Sequence, residues 1–282
     1  MKIGIIVQTR MGSTRLPGKV LRKADETNLM LDYSIDQLKH SKNSDMIIIA
    51  TSNLKRDDPI EEHCKNLNID YFRGDEQDVL DRHYQCAKKF SLSHIVRIPS
   101  DKPLIDPQIV DSIIEFFKGN DFDYVANFEI IQKDNSLIFN STYPSGTEVE
   151  IFSFNALEMA WKNAKTPDER EHVTPHFYLN RKNFKLKHIQ QSENLSHFRW
   201  SLDYENDMHL IREIIKRISN RLILINDIIQ LLDNNADFNQ VAEIIRTLVI
   251  RGAPTIGEFG EFLLTLAWLP HISGIYSKII SS

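Results

Sequence analysis

Close behind the amino terminus the chain reads Gln8-Thr9-Arg10-Met11-Gly12-Ser13-Thr14-Arg15-Leu16-Pro17-Gly18-Lys19, and these residue types suit a polyphosphate. Arg10, Arg15 and Lys19 concentrate positive charge in one loop, and an arginine can grip two phosphate oxygens at once. Gly12 and Gly18 let the backbone approach a ligand closely, while Ser13 and Thr14 add hydroxyl and amide donors. The spacing matches neither common phosphate loop. Gly12 to Gly18 is one residue too long for the Walker pattern, Val20 follows Lys19, and Gly-x-Gly-x-x-Gly is absent. A solvated basic turn is the alternative, but charges, glycines and a proline packed directly behind an apolar strand favour a ligand loop. Further on, Asp101 stands in Pro99-Ser100-Asp101-Lys102-Pro103. A nucleoside triphosphate brings Mg²⁺, which takes a few carboxylates plus phosphate oxygens, so Asp101 is expected as a first metal ligand. Asp121-Phe122-Asp123 has the look of another metal motif. It precedes a strand, at the wrong end of the sheet, and reads better as a turn.

These residues need elements that deliver them to one place. Ile3 to Val7 reads as a fully buried strand, and 45–51, 69–72 and 94–98 are expected to follow it as parallel strands. Right-handed crossovers put the ends of such strands on one sheet edge, so the charged loop and Asp101 face one crevice. Helical spacing runs over 57–66 with Pro59 in the first turn, and Asp106-Pro107 begins another helix. From 129 to 142 the pattern is polar and irregular, an excursion from the sheet. Val149 and Ile151 alternate with Glu148 and Glu150, which predicts a half-buried strand with its carboxylates outward. An exposed strand is expected over 184–189, and Asp207 opens an amphipathic helix through Leu210, Ile211, Ile214, Ile215 and Ile218.

The 282 residues allow one sizeable core with an appendage. With 41% hydrophobic residues, 26% charged residues and a net charge of −5, the chain is an ordinary globular protein and not a general nucleic-acid binder. Cys64 and Cys86 lack metal spacing and no signal peptide precedes the first strand, so a reducing cytoplasm is the expected setting. The apolar run 262–269 is too short to span a bilayer and ends in proline.

The run Gln-x-Arg-Met-Gly-Ser-Thr-Arg-Leu-Pro-Gly-Lys-Val-Leu resembles the opening of the cytidylyltransferases that make CMP-activated acidic sugars, above all the branch named for spore coat polysaccharide synthesis. The resemblance implies an α/β, Rossmann-like nucleotidyltransferase fold with a mostly parallel central sheet, flanking helices and a helical carboxyl-terminal tail. It implies a nucleotidyltransferase domain over 1–225, with a dimer arm around 129–147 and 184–190, followed by a helical extension over 226–282. The loop would hold the triphosphate of CTP, with Gln8, Arg10, Gly12, Ser13, Thr14, Arg15, Lys19 and Ser100 contacting the nucleotide, and Arg15, Lys19 and Asp101 serving catalysis. Thr51 borders the nucleoside pocket. Arg73-Gly74-Asp75-Glu76-Gln77-Asp78-Val79-Leu80 resembles the family's run at the edge of the base site, which brings in Arg73 and Asp78, although Asp75 and Asp78 suit helix caps equally. Tyr143 to Ser153 and Glu169 to Pro175 also match family motifs. They imply acceptor contacts at Glu148, Glu150, Arg170 and His172, with Arg170 the candidate to receive a sugar carboxylate; a salt-bridged helix surface, with His172 a structural hydrogen-bonding residue, is the alternative. Trp200-Ser201-Leu202-Asp203 matches the motif whose aspartate is a second ligand to Mg²⁺, and Asp207 is assigned to capping. Lys102 and Glu148 depart from the family pattern, Lys102 replacing a small or acidic residue and Glu148 an aspartate.

The implied activity is transfer of CMP from CTP to an acidic sugar, with loss of pyrophosphate, by a homodimer. Two alternatives stand beside it: a different anionic acceptor, such as a phosphonate or sugar phosphate, and a noncatalytic interaction protein. The resemblance fades by about Ile245. Beyond it, 251–257 resembles a motif of methylthioribose-phosphate isomerases and their initiation-factor relatives, read as a remnant or docking element without isomerase activity.

Overall fold

β-branched side chains build the middle of the sheet. The computed structural model describes residues 1–133 and 136–234, so most of the expected helical extension, with the motif at 251–257 and the run at 262–269, lies outside the described residues. Strands β1 (Ile3–Gln8), β2 (Met46–Ser52), β3 (Asp70–Gly74) and β4 (His94–Pro99) are connected through helices α1 (Met30–Leu38), α2 (Asp58–Asn66) and α3 (Val79–Lys89). Ile3, Ile5, Ile6 and Val7 are all buried, as expected of a parallel strand covered on both faces by helices.

After α4 (Pro107–Lys118) come β5 (Tyr124–Ala126), β6 (Glu129–Lys133), β7 (Ser136–Asn140) and β8 (Glu150–Ser153). Then follow α5 (Phe154–Asn163), α6 (Pro167–His172), α7 (Pro175–Leu179), β9 (Leu186–His188), α8 (Glu205–Arg217) and α9 (Ile225–Asp233). The seven-stranded sheet has the order β3-β2-β1-β4-β8-β5-β9. Strands β1 to β4 are parallel, β8 runs antiparallel to β4 and β5, and β9 pairs parallel with β5. The segment expected as an exposed arm at 184–190 therefore supplies the edge strand of the main sheet. The excursion at 129–142 leaves the main sheet as expected, and it forms a paired hairpin of its own, β6 against β7. Its runs Glu129-Ile130-Ile131 and Leu137-Ile138-Phe139 carry enough strand-forming side chains to pair across a short turn. Among the described residues no helix is long and apolar enough to cross a membrane.

The strand order reverses at β1. The chain steps outward from β1 through β2 to β3, then returns to lay β4 on the other side of β1. Gln8 pairs with Ala50 on one side and Pro99 on the other. At such a switch point the two departing connections separate and leave a crevice beyond the carboxyl ends of the strands. The connection leaving β1 is the charged loop, and the connection leaving β4 carries Asp101.

Asp106 caps α4, its Oδ1 accepting from the Gln108 amide at 2.7 Å, and its Oδ2 accepts from the Ile225 amide at 2.9 Å at the start of α9. Ile228 and Leu232 of α9 are buried. That helix covers the stretch where the carboxyl-terminal extension was expected to begin.

Candidate active site

The charged loop is folded back on its own backbone. The Met11 carbonyl accepts from the Ser13 amide at 2.9 Å and the Gly18 amide at 3.0 Å. Gly18 has φ of +68°, a conformation that favours glycine. Leu16 and Val20 are buried and peg the loop to the core. Asp57, which the sequence did not flag, holds the loop's entrance: its Oδ1 accepts from the Met11 amide at 2.8 Å. Its Oδ2 takes the Thr51 hydroxyl at 3.1 Å and the Ser52 hydroxyl at 2.5 Å. Thr51 is fully buried in this brace beneath the loop.

One backbone bond explains why two distant aspartates meet. The Leu202 amide donates to the Asp101 carbonyl at 2.7 Å, which sets Asp203 beside Asp101. Asp207 then fixes the turn, its Oδ2 accepting from the amides of Asp203 at 2.7 Å and Tyr204 at 2.9 Å, the capping role expected of it. Lys19 of the loop reaches the Leu202 carbonyl, closing a three-way junction.

Around this junction lies a cavity of about 300 Å³. The β1 loop contributes Gln8, Arg10, Ser13, Thr14, Arg15 and Lys19 to its wall. Ser100 and Asp101 enter after β4, Asp203 enters before α8, and His172 enters from the end of α6. A second cavity of about 260 Å³ shares Arg97, Pro99, Asp101 and Asp203 with the first, so the two aspartates stand in the common wall.

The two carboxylates are held differently. Burial pushes the Asp101 carboxyl above the usual range, against the opposing charges of Lys19 and Lys102. No donor among the described residues reaches its buried Oδ1. Burial also acts to raise Asp203, but the hydrogen bond from Arg199 and the charges of Lys19 and Arg15 outweigh it and hold that carboxyl low. Oδ1 of Asp203 lies 2.8 Å from Arg15 Nη2 and 3.4 Å from Lys19 Nζ, and Oδ2 lies 2.8 Å from Arg199 Nη2. A buried carboxylate oxygen without a donor suits a divalent cation. Among the described residues no cluster of three His, Cys, Asp or Glu side chains forms a full metal cage. A pair of aspartates fits an ion such as Mg²⁺ that draws its other ligands from phosphate and water.

The second cavity is lined by charges already paired. Lys102 Nζ lies 3.1 Å from Glu148 Oε2 and donates to the Glu148 carbonyl at 2.7 Å. The two departures from the family pattern are thus each other's partner. Lysine outweighs the burial that acts to raise Glu148, and holds its carboxyl below the ordinary value. Glu150 corrects the sequence expectation. It is only 3% exposed, not outward, because helices cover this face of the sheet as well. Arg97 at 2.5 Å and the Tyr124 hydroxyl at 2.8 Å compensate its charge. Gly146, at φ +108°, brings its segment against Trp200, where a Cβ would lie 2.9 Å from Trp200 Cδ1. That approach aligns Ser145, Arg199 and Ser201 on the cavity wall. The hydroxyls of Ser145 and Ser201 are 3.2 Å apart, and Arg199 Nη1 donates to Ser145 at 3.3 Å. Phe128 and Phe139 supply an apolar side.

Other expected site residues lie elsewhere. Arg170 grips Asp78 Oδ2 through Nε at 2.9 Å and Nη2 at 2.5 Å and donates to the Trp161 carbonyl, outside both cavities. Asp78 also caps α3, its Oδ1 accepting from the Asp81 amide. Arg73 binds Asp58, Glu61 and the carbonyls of Ser52 and Leu54. Gly12 passes close to Arg56, where a Cβ would meet Nη2 at 2.7 Å. His172 lines the first cavity and not the second. Asp121 and Asp123 bind Lys185, away from both. Arg97 and Arg199, by contrast, were not singled out from the sequence. Arg97 interrupts an otherwise apolar central strand, and Arg199 sits between Phe198 and Trp200, four residues before Asp203. Those were the available signals.

A family model described as cytidylyltransferase matches residues 4–241. An uncharacterised protein of Methanocaldococcus jannaschii is 39% identical over 248 residues, covering 87% of this chain and 96% of that protein. The spore coat polysaccharide biosynthesis protein SpsF of Bacillus subtilis is 30% identical over 242 residues, covering 82% and 94%. Among solved structures, a cytidylyltransferase from Leptospira borgpetersenii aligns with a TM-score of 0.77 at 30% identity, over 84% of this chain and 96% of that one. CMP:2-keto-3-deoxy-manno-octonic acid synthetase, solved with CTP, shares the fold with a TM-score of 0.59 at 14% identity, over 77% and 99%. The fold is the Rossmann-like nucleotidyltransferase fold that the resemblance implied.

Proposed function

The chain belongs to the cytidylyltransferase family, and from that premise we propose that it transfers CMP from CTP to an acidic sugar of the nonulosonic acid or 3-deoxy-octulosonate type, releasing pyrophosphate, in the making of a surface polysaccharide or glycan. The observation that carries this reading is the common wall: Asp101 and Asp203 stand between a cavity lined by the cationic loop and a second one of sugar size. The kinship with SpsF, named for spore coat polysaccharide biosynthesis, supports the polysaccharide setting.

In this reading Arg10, Arg15 and Lys19 bind the β and γ phosphates in the first cavity. The acceptor lies in the second, against Ser145, Ser201 and Glu148. Its hydroxyl oxygen attacks the α phosphorus across the common wall and gives up its proton to solvent, and the bond from that phosphorus to the pyrophosphate oxygen breaks. The loop cations stabilise the leaving charge. Transfer of this kind needs positioning and charge neutralisation, and no nucleophilic side chain. Mg²⁺, held by Asp101 and Asp203, would neutralise charge at the α phosphate and lower the pKa of the attacking hydroxyl. The β6–β7 hairpin leaves Ile131, Ile138 and Phe139 substantially exposed, which suits a homodimer contact.

The test is pyrophosphate release from CTP with Mg²⁺ against a panel of sugar acids, phosphonates and sugar phosphates, with mass identification of the product. A CMP–sugar acid conjugate is expected. Release only with a phosphonate or sugar phosphate would replace the acceptor class, and no release with any acceptor would sink the reading.

A further inference from the structure

We propose that Asp203 is a positioning residue that stands in for the triphosphate, keeping the loop cations in place until a nucleotide takes them. The inference rests on the reading above and deepens it. Asp203 is bonded through both oxygens to three cations, Arg15 and Lys19 on Oδ1 and Arg199 on Oδ2. Lys19 is further anchored on the Leu202 carbonyl, and Arg15 stacks 5.1 Å from the centre of the Tyr204 ring. Two of the three are the cations assigned to phosphate.

Arg199 is shared with Asp207 Oδ2 at 3.3 Å, which leaves Arg15 and Lys19 together on a single Asp203 oxygen. A triphosphate, with several charges and many oxygens, outcompetes a single carboxylate for Arg15 and Lys19. Their transfer leaves Asp203 Oδ1 without its two partners, beside Asp101, whose own Oδ1 has no donor among the described residues. Two such carboxylates side by side repel one another: each raises the other's cost of staying charged. A divalent cation at that point removes the repulsion. Nucleotide and metal therefore promote each other's binding, a coupling that must be reciprocal. Without metal, the nucleotide has to displace Asp203 at a cost. Asp101 makes no hydrogen bond or ion pair to the loop cations and acts on them only through its charge, so its removal frees them less than removal of Asp203 does.

The experiment measures CTP affinity by calorimetry, in chelator and in Mg²⁺, for the wild type, Asp203→Asn and Asp101→Asn. In chelator, Asp203→Asn should tighten CTP binding by about tenfold, and Asp101→Asn by no more than about threefold. In Mg²⁺ the sign should invert, with Asp203→Asn binding more weakly than the wild type. A role confined to folding does not invert with metal. Melting curves check that each variant folds, and Asp203→Ser should repeat the direction if the amide variant folds poorly. The inference is overturned if Asp203→Asn gains nothing in chelator, or if Asp101→Asn gains as much. A wild type that binds no CTP even with Mg²⁺ overturns the parent reading, and this one with it.

Discussion

The two cavities meet at one wall but are built in opposite ways. The first draws half of its wall from the end of β1 and the one loop that follows it, and the arginines of that loop are partly exposed, Arg10 by 38% and Arg15 by 54% of their side-chain surface. The second gathers short pieces from distant segments, around Arg97, Phe128, Phe139, Ser145 and Arg199, and nearly every charge there has a buried partner. The difference matches two recognition tasks. A flexible polyanion is attracted by excess positive charge that desolvates little. A small acceptor is selected by fixed dipoles and shape, which a closed set of ion pairs supplies without net attraction for other anions.

The hardest blow to this picture falls on the common wall. Asp101→Asn should lower kcat/KM with CTP and Mg²⁺ by on the order of a thousandfold or more, while the metal-free protein melts at the same temperature or higher, since a buried charge without a donor has been removed. A variant that keeps near-normal turnover would dissolve the link between the cavities. Next, Lys102→Met strands Glu148, and should destabilise the fold by about 3 kcal/mol in urea unfolding. Adding Glu148→Gln should recover much of that loss, and a lack of recovery would mean the second cavity is not held by pairing. Lys19→Met should raise KM for CTP by roughly thirtyfold, equivalent to about 2 kcal/mol, with acceptor KM little changed. Equal changes in both would erase the division of labour.

The smallest effect is in pH. Glu148 has its folded pKa below its unfolded one, so it contributes stability that is full above the ordinary glutamate value. That contribution is lost as pH falls through the lowered folded value. Glu148→Gln should flatten the slope of stability against pH on that acid limb and leave it unchanged near neutrality.

Much of the first cavity could be read directly from the chain, because its chemistry is local. Apolar runs of strand length mark β1 to β4, and the loop's charges and glycines follow one strand without interruption. Asp207 as a cap and Asp106-Pro107 as a helix start are equally local. The second cavity was harder. Glu148 and Glu150 were noticed, yet the alternation that sent Glu150 outward says nothing of the Arg97 and Tyr124 that bury it. Lys102 and Glu148 looked like two separate departures when they form one pair. Arg170 illustrates the limit best, since its partner Asp78 lies 92 residues away and takes the charge reserved for a substrate.

By itself, then, the sequence determined the four leading strands, the cationic loop and the identity of the carboxylates, because each depends on neighbours within a few positions. Only the tertiary structure decided which charges oppose which. Ion pairing and burial depend on distances between segments far apart along the chain, and a bond such as Leu202 to Asp101 fixes those distances only after the sheet has assembled.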